Sequence, residues 1–287
     1  VHLFEQNTLA DGQLLYFLGS SRSGSTVLAG HLGMSSGIEM VGELGSISRV
    51  LNDPRRLCTC GREYSQCPIW GRIRPRLGRF ALPTSAVNEG QSRLIFDNRG
   101  MLSEIGLAFG HGGLIVDTSK KISRLKYLAA EGINTKVIHL VKDPQTVVLS
   151  ERRSAQRKAT AQDGISLPNF SPKENGRAIF NWIEKQSRLK HAVKALGLPC
   201  LIMRFEDWVG QRVAQSARLS SFLEMEIDIT SPLVDFTSQH HLGGNNVRFS
   251  GEVTLRSEPV TGLGLVRYSR SNQAHIKKGL ESFNYEM

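Results

Sequence analysis

Eight consecutive residues carry the densest chemistry in this chain. Gly19-Ser20-Ser21-Arg22-Ser23-Gly24-Ser25-Thr26 joins a short apolar run, Leu14 to Leu18, to a segment of helical period. A glycine-rich turn between a strand and a helix offers backbone N–H groups and the positive end of the helix to an anion. Arg22 adds a formal charge inside the turn. The loop departs from the phosphate-loop pattern GxxxxGK[ST] at one place: Ser25 stands where a lysine reaches the β and γ phosphates of a nucleoside triphosphate. Phosphate binding without triphosphate hydrolysis is the expectation. A second anion site is legible in Val141-Lys142-Asp143-Pro144 with Ser150. Asp143 can cap and Pro144 can begin a helix, while Lys142 at a strand tip and Ser150 on that helix converge on one anion. Asp117 ends an apolar run, as a magnesium-holding carboxylate does in phosphoryl-transfer enzymes. It supports an alternative reading as a P-loop kinase acting on a small metabolite, against which the missing loop lysine and the second motif both weigh.

Other candidates are weaker. Cys58, Cys60 and Cys67 fall within ten residues, but three thiols are one ligand short of a structural zinc, so a shape-determining loop or a redox-sensitive pair is expected in its place. His139 lies within an apolar run and reads as a core histidine. His240 and His241 lie in a polar loop, from which either could approach a substrate.

The elements that must position these residues follow from hydrophobic periodicity. Leu14 to Leu18, Gly113 to Asp117, Lys136 to Val141 and Leu198 to Met203 read as buried strands. Helical patterns span Thr26 to Met34, Asn88 to Phe109, Ile122 to Ala130, Pro144 to Ser154 and Ile179 to Leu196. In the last of these, Ile179, Trp182, Ile183, Leu189, Val193 and Leu196 share one face. Strands alternating with helices imply crossovers and a parallel sheet, whose ligands bind at the carboxyl ends of the strands. Asn52 to Pro83, Arg157 to Pro172 and Gln239 to Gly251 break the pattern and read as loops or lids.

Composition narrows the classes. The 287 residues are 40% hydrophobic and 22% charged, which suits a globular chain with a real core. No run reaches the roughly 18 apolar residues of a membrane span, and Val1 to Gln13 carries no signal pattern. With only four cysteines, a cytoplasmic, reduced protein without a membrane partner is the expectation. The 36 Lys and Arg against 26 Asp and Glu give a net charge of +10 and imply an anionic partner. The basic residues are spread along the chain and no nucleic-acid-binding motif accompanies them, so nucleic acid ranks below a small polyanion.

The two anion motifs together resemble those of sulfotransferases that use 3′-phosphoadenosine 5′-phosphosulfate (PAPS), in particular the bacterial members. Arg22-Ser23-Gly24-Ser25-Thr26 is similar to the family's 5′-phosphosulfate loop. Lys142-Asp143-Pro144 with Ser150 is similar to its Arg-Asp-Pro…Ser motif, which binds the 3′-phosphate, although lysine replaces arginine and the bidentate fork is lost. Asp117-Thr118-Ser119-Lys120 resembles an Asp-x-Ser-Lys motif, and Arg204-Phe205-Glu206-Asp207 an Arg-Tyr-Glu-Asp motif. His240 to Phe249 resembles a late Gly-Gly-Asn…Arg loop that folds over the nucleotide. The resemblance runs from about Leu14 to about Phe249 and implies a single α/β sulfotransferase domain over residues 1–287, with a core at about 14–250 and a C-terminal extension at 251–287. It further implies PAPS as co-substrate, no metal in the transfer, and a small-molecule hydroxyl or amine as acceptor. Arg22, Ser23, Gly24, Ser25, Thr26, Lys142, Ser150, Asn245 and Arg248 are the implied nucleotide contacts. Glu43 is the implied base, and Lys120 the candidate that neutralises charge around the transferring sulfonate.

Overall fold

The computed structural model describes residues 13–82, 95–110, 113–163, 172–256 and 270–285. In chain order the elements are β1 (Leu14–Leu18), α1 (Ser25–Leu32), β2 (Ile38–Gly42), α2 (Ile47–Asn52), α3 (Trp70–Leu77), β3 (Ala81–Leu82), β4 (Ile95–Phe96), α4 (Asn98–Phe109), β5 (Leu114–Asp117) and α5 (Ile122–Ala130). They continue with β6 (Thr135–Val141), α6 (Pro144–Asp163), α7 (Pro172–Ala195), β7 (Cys200–Arg204), α8 (Phe205–Gly210), α9 (Arg212–Leu223), β8 (Leu233–Asp235), β9 (Glu252–Thr254) and α10 (Arg270–Glu281).

Five strands form one parallel sheet in the order β2-β5-β1-β6-β7. Helices cover both faces of the sheet, so the central strands β5, β1 and β6 are buried along their whole length; β7, expected to be a buried strand, lies at the edge and buries only Met203. Side chains alternate across the sheet with period two. Leu14, Tyr16 and Leu18 of β1 pack with Trp70 of α3, Met101 and Ile105 of α4, and Leu125 and Leu128 of α5. Leu15 and Phe17 pack on the opposite face with Leu28 and Leu32 of α1 and Leu219 and Leu223 of α9. A third cluster joins α6, α7 and α10 through Val147, Ile179, Trp182, Ile183, Ile276 and Leu280. The apolar face expected on α7 therefore serves two clusters: its first half meets α10, and Leu189 and Val193 meet the sheet.

β1 lies between β5 and β6, so the chain leaves the sheet in opposite directions on either side of it. That reversal opens a crevice at the carboxyl end of β1. All four expected strands are present within one or two residues at most ends. β2 was not expected, because Ile38-Glu39-Met40-Val41-Gly42 carries a charge and ends on glycine. The helix expected from Asn88 begins only at Asn98; Ile95–Phe96 is a strand paired with Ala81–Leu82, and 88–94 lie outside the described residues. The loop expected over Asn52 to Pro83 contains α2's last residue, α3 and β3. α6 continues past Ser154 to Asp163, into the stretch expected to be a loop, of which 164–171 lie outside the described residues.

Candidate active site

The phosphate loop leaves β1 at the crevice and ends at Gly24, whose carbonyl accepts the first helical bonds of α1 from the N–H groups of Val27 (2.9 Å) and Leu28 (3.0 Å). Gly24 has φ +89°, and a Cβ there would stand 2.4 Å from ring atoms of Phe205. Only glycine allows both the turn and the contact. Phe205 thus braces the loop from behind, and the ammonium of Lys142 lies 3.8 Å from the centre of the same ring. The hydroxyls of Ser20 and Ser23 are buried without a hydrogen-bond partner among the described residues. Arg22 adopts φ +65°, uncommon for a side-chain-bearing residue, and donates from Nη2 to Ser154 Oγ on α6 at 2.5 Å.

The lysine that the loop lacks is replaced in space. Lys120, just beyond the tip of β5 and also at positive φ (+61°), brings Nζ to 2.9 Å from Ser25 Oγ. It also forms an ion pair with Glu43 Oε1 at 3.5 Å. Two turns hold that pair. Thr118 N–H donates to the carbonyl of Gly42 (2.8 Å), Leu44 N–H to Asp117 Oδ1 (3.3 Å) and Gly45 N–H to Ser119 Oγ (2.7 Å). Glu43 precedes a short 3₁₀ turn, Leu44–Ser46, but its side chain makes no capping bond. Its carboxylate is turned to Lys120 and the crevice.

Asp117 is fully buried and occupied. Its Oδ2 accepts from Arg124 Nε at 2.7 Å, and its Oδ1 accepts from the N–H groups of Leu44 and Ser119 and from the Ser119 hydroxyl. A carboxylate neutralised by a guanidinium and spent on two turns is a poor magnesium ligand. This removes the feature that favoured a kinase.

Two adjoining cavities share Glu43 and Gly244 in their walls. One, of about 430 Å³, is bordered by Arg22, Gly24, Ser25, Thr26, Lys120, Ser150 and Asn245. The other, of about 390 Å³, is bordered by Arg56, Tyr64, Leu242, Arg248 and Phe249. Asn245 is tied to the phosphate loop through its N–H, which donates to Thr26 Oγ1 at 3.2 Å. Three expected contacts do not border the first cavity. Ser23 is buried beneath the loop. Lys142 lies over Phe205, where burial pulls its pKa down against the opposing pull of Glu206 and Asp143. Arg248 faces the second cavity, donating to Gly244 O at 2.8 Å and stacking 4.2 Å from the centre of Phe249.

The capping expected of Asp143 is present: its Oδ1 accepts from Thr146 N–H at 2.8 Å at the start of α6. Glu206, in the motif after β7, accepts from Asp143 N–H (2.9 Å) and from Tyr285 Oη (2.8 Å), so this motif ties β6, β7 and the C-terminal segment together. His139 is the core histidine expected, with Nε2 2.7 Å from Gln186 Oε1. The late-loop histidines border neither cavity, contrary to the idea that either could approach a substrate. His241 is fully buried, with Nε2 2.6 Å from Gln239 Oε1 and its pKa pushed by burial down to about 3. His240 turns towards Cys67. Tyr64 and Ser154 were missed. Tyr64 Oη accepts from Gly243 N–H at 3.0 Å, a pairing 179 residues apart in the chain. Ser154 had a local signal, standing one helical turn after Ser150.

No protein-family model matches the sequence, and no curated protein matches it. Among solved structures, the chain is similar to the "Sulfotransferase Domain from the Curacin Biosynthetic Pathway", with 18% identity, a TM-score of 0.59, and coverage of 96% of this chain and 99% of that one. It also matches sulfotransferase STF9 from Mycobacterium avium (11% identity, TM-score 0.44, 75% of this chain and 64% of that one) and STF1 from Mycobacterium tuberculosis H37Rv (11%, 0.42, 75% and 68%). The fold is therefore the sulfotransferase α/β fold seen in the curacin-pathway domain. No helix among the described residues is long and apolar enough to cross a membrane.

Proposed function

We propose that the protein is a sulfotransferase that moves a sulfonate group from PAPS to a hydroxyl or amine of a small-molecule acceptor, its whole length serving as one such domain. The observation that carries this reading is the position of Glu43, in the wall common to two cavities and paired with a lysine that reaches the phosphate loop. The cavity beside the loop suits the donor nucleotide, since its volume lies within the roughly 300 to 1,000 Å³ of small-molecule sites. The Arg22 side of the loop, the Ser25 and Thr26 positions at the start of α1 and the nearby Lys120 fit an anion held in that cavity.

PAPS supplies the sulfonyl group, and adenosine 3′,5′-bisphosphate leaves. Glu43 takes the acceptor proton as the acceptor attacks from the second cavity. Protonation neutralises the carboxylate and dissolves its ion pair, so the Lys120 ammonium is freed to face the oxygen on which negative charge develops. Arg22 and Ser150 hold the donor along α6, and Asn245 closes the late loop onto the phosphate loop. The transfer calls on no metal.

Thermal shift tests the reading. Adenosine 3′,5′-bisphosphate at about 100 times its dissociation constant is expected to stabilise the fold by about 2.7 kcal/mol without added metal. Magnesium-dependent stabilisation by ATP of equal size would restore the kinase, and stabilisation by an oligonucleotide alone would point to nucleic acid.

A further inference from the structure

Behind the wall of the second cavity, four metal-ligating side chains converge. The three thiols of Cys58, Cys60 and Cys67 meet the imidazole of His240, and the four ligand atoms all lie within 4.8 Å of one another. His240 is 173 residues from Cys67 in the chain, yet its Nδ1 is 3.3 Å from Cys67 Sγ and 3.8 Å from Cys58 Sγ. The Sγ atoms of Cys58 and Cys67 are 3.6 Å apart. Bonds of about 2.3 Å to sulfur and 2.0 to 2.1 Å to nitrogen in a tetrahedron put sulfurs about 3.8 Å apart and sulfur about 3.5 Å from nitrogen. The spacings among Cys58, Cys67 and His240 fall within about 0.3 Å of those figures, and Cys60 Sγ lies within 4.8 Å of each of the three. A disulfide needs about 2.05 Å between sulfurs and leaves both a thiol and an imidazole unexplained.

The geometry points to a structural zinc site formed by Cys58, Cys60, Cys67 and His240. The expectation against zinc rested on three thiols; the structure supplies the missing ligand from the far end of the chain. Zinc bound here displaces three thiol protons and takes neutral imidazole, leaving a site of net charge −1. The surroundings are built for it. The turn carrying Cys58 and Cys60 is closed by Cys58 N–H donating to Arg62 O (2.8 Å) and Gly61 N–H to Cys58 O (3.0 Å). Trp70 fixes the other two ligands, its backbone N–H pointing at Cys67 Sγ (3.4 Å) and its indole donating to the His240 carbonyl (2.6 Å). Supporting contacts of this kind orient ligands and raise affinity.

Such an ion joins the two chain segments that line the second cavity, Arg56 to Tyr64 and Leu242 to Arg248. It is a clasp for the acceptor side and takes no part in the proton transfer. The inference does not depend on the proposed activity, because zinc content is read without any turnover.

The test is elemental analysis of the intact protein, produced with zinc in the medium and purified without chelator. About one zinc per chain is expected, released by a mercurial thiol reagent as three thiols react. Cys60→Ser and His240→Ala are each expected to lower the zinc retained against a competing chelator at least about tenfold, while Cys200→Ser, at an exposed thiol away from the cluster, leaves it unchanged. Should those variants fail to fold, cobalt substituted into the wild-type protein decides, through thiolate charge-transfer bands and tetrahedral d–d bands. Free titration of all four thiols in the native protein with zinc absent would overturn the inference, and so would the loss of two thiols to a disulfide.

Discussion

Glu43 and Lys120 form an ion pair, and the proposed mechanism gives its two members separable jobs. Glu43→Gln keeps the shape and the hydrogen-bonding capacity but cannot accept a proton, so kcat is expected to fall at least about a hundredfold with nucleotide affinity retained. Steady-state kinetics alongside calorimetric titration with adenosine 3′,5′-bisphosphate checks both halves. Full activity in that variant would make Glu43 a support for its turn and nothing more. Arg22 and Lys142 should likewise part company. Arg22 borders the cavity, so Arg22→Ala is expected to weaken nucleotide binding by about 1.5 to 3 kcal/mol, the range of charge-assisted hydrogen bonds. Lys142 is seated on Phe205 instead. Lys142→Met, which keeps that packing, is expected to cost less than half as much in the same titration; an equal loss would bring Lys142 into the nucleotide site. The phosphate loop and its arginine were legible because a strand, a turn and a helix are contiguous there. The convergence of Lys120 on that loop was legible only through the family resemblance, since it depends on β5 lying beside β1, a neighbour relation that no local pattern encodes.

Among the elements, the junction of the phosphate loop with α8 is the most demanding. Gly24→Ala adds a methyl group at positive φ against the Phe205 ring. It is expected to destabilise the protein by about 1 to 3 kcal/mol and to weaken nucleotide binding. Phe205→Leu added to it should restore part of the stability, the steric part, and leave the backbone strain; denaturant unfolding of both variants measures the split. Absence of any rescue would mean the ring already yields. Four of the sheet strands were readable as short, mostly apolar runs: β1, β5 and β6 are buried along their whole length, whereas β7, at the edge of the sheet, is half-buried or exposed at every residue but Met203 and was legible from its composition alone. β2 escaped because Glu39 interrupts it, and α3 because Trp70–Leu77 buries only Trp70, Ile73 and Leu77 among arginines. Arg76 and Arg79 pair with Glu104, so the basic stretch Arg72 to Arg79 is partly neutralised within the fold.

For the molecule as a whole, acid stability is set by histidines buried in the neutral state. His31 is completely buried beside Trp208, neither ring nitrogen has a partner among the described residues, and burial pushes its pKa down to about 4. The unfolded chain takes up a proton near pH 6.5 and the folded chain only near 4. Stability is therefore complete above pH 6.5 and falls as the pH drops towards 4, by up to about 1.4 kcal/mol per pH unit from this residue. Urea unfolding of His31→Met is expected to show a shallower loss than wild type between pH 6.5 and 4.5; parallel curves would assign the acid sensitivity elsewhere. The late loop carries a different consequence at this scale. Leu242 pairs with Gly42 as a strand would, its N–H donating to Val41 O at 2.9 Å and its carbonyl accepting from Glu43 N–H at 2.6 Å. β2 is the outermost strand on that side, and these bonds occupy part of a border whose free N–H and C=O groups would otherwise invite pairing with another chain. Any opening of the loop wide enough to break these bonds also uncovers that border, so access to the crevice and self-association draw on the same motion.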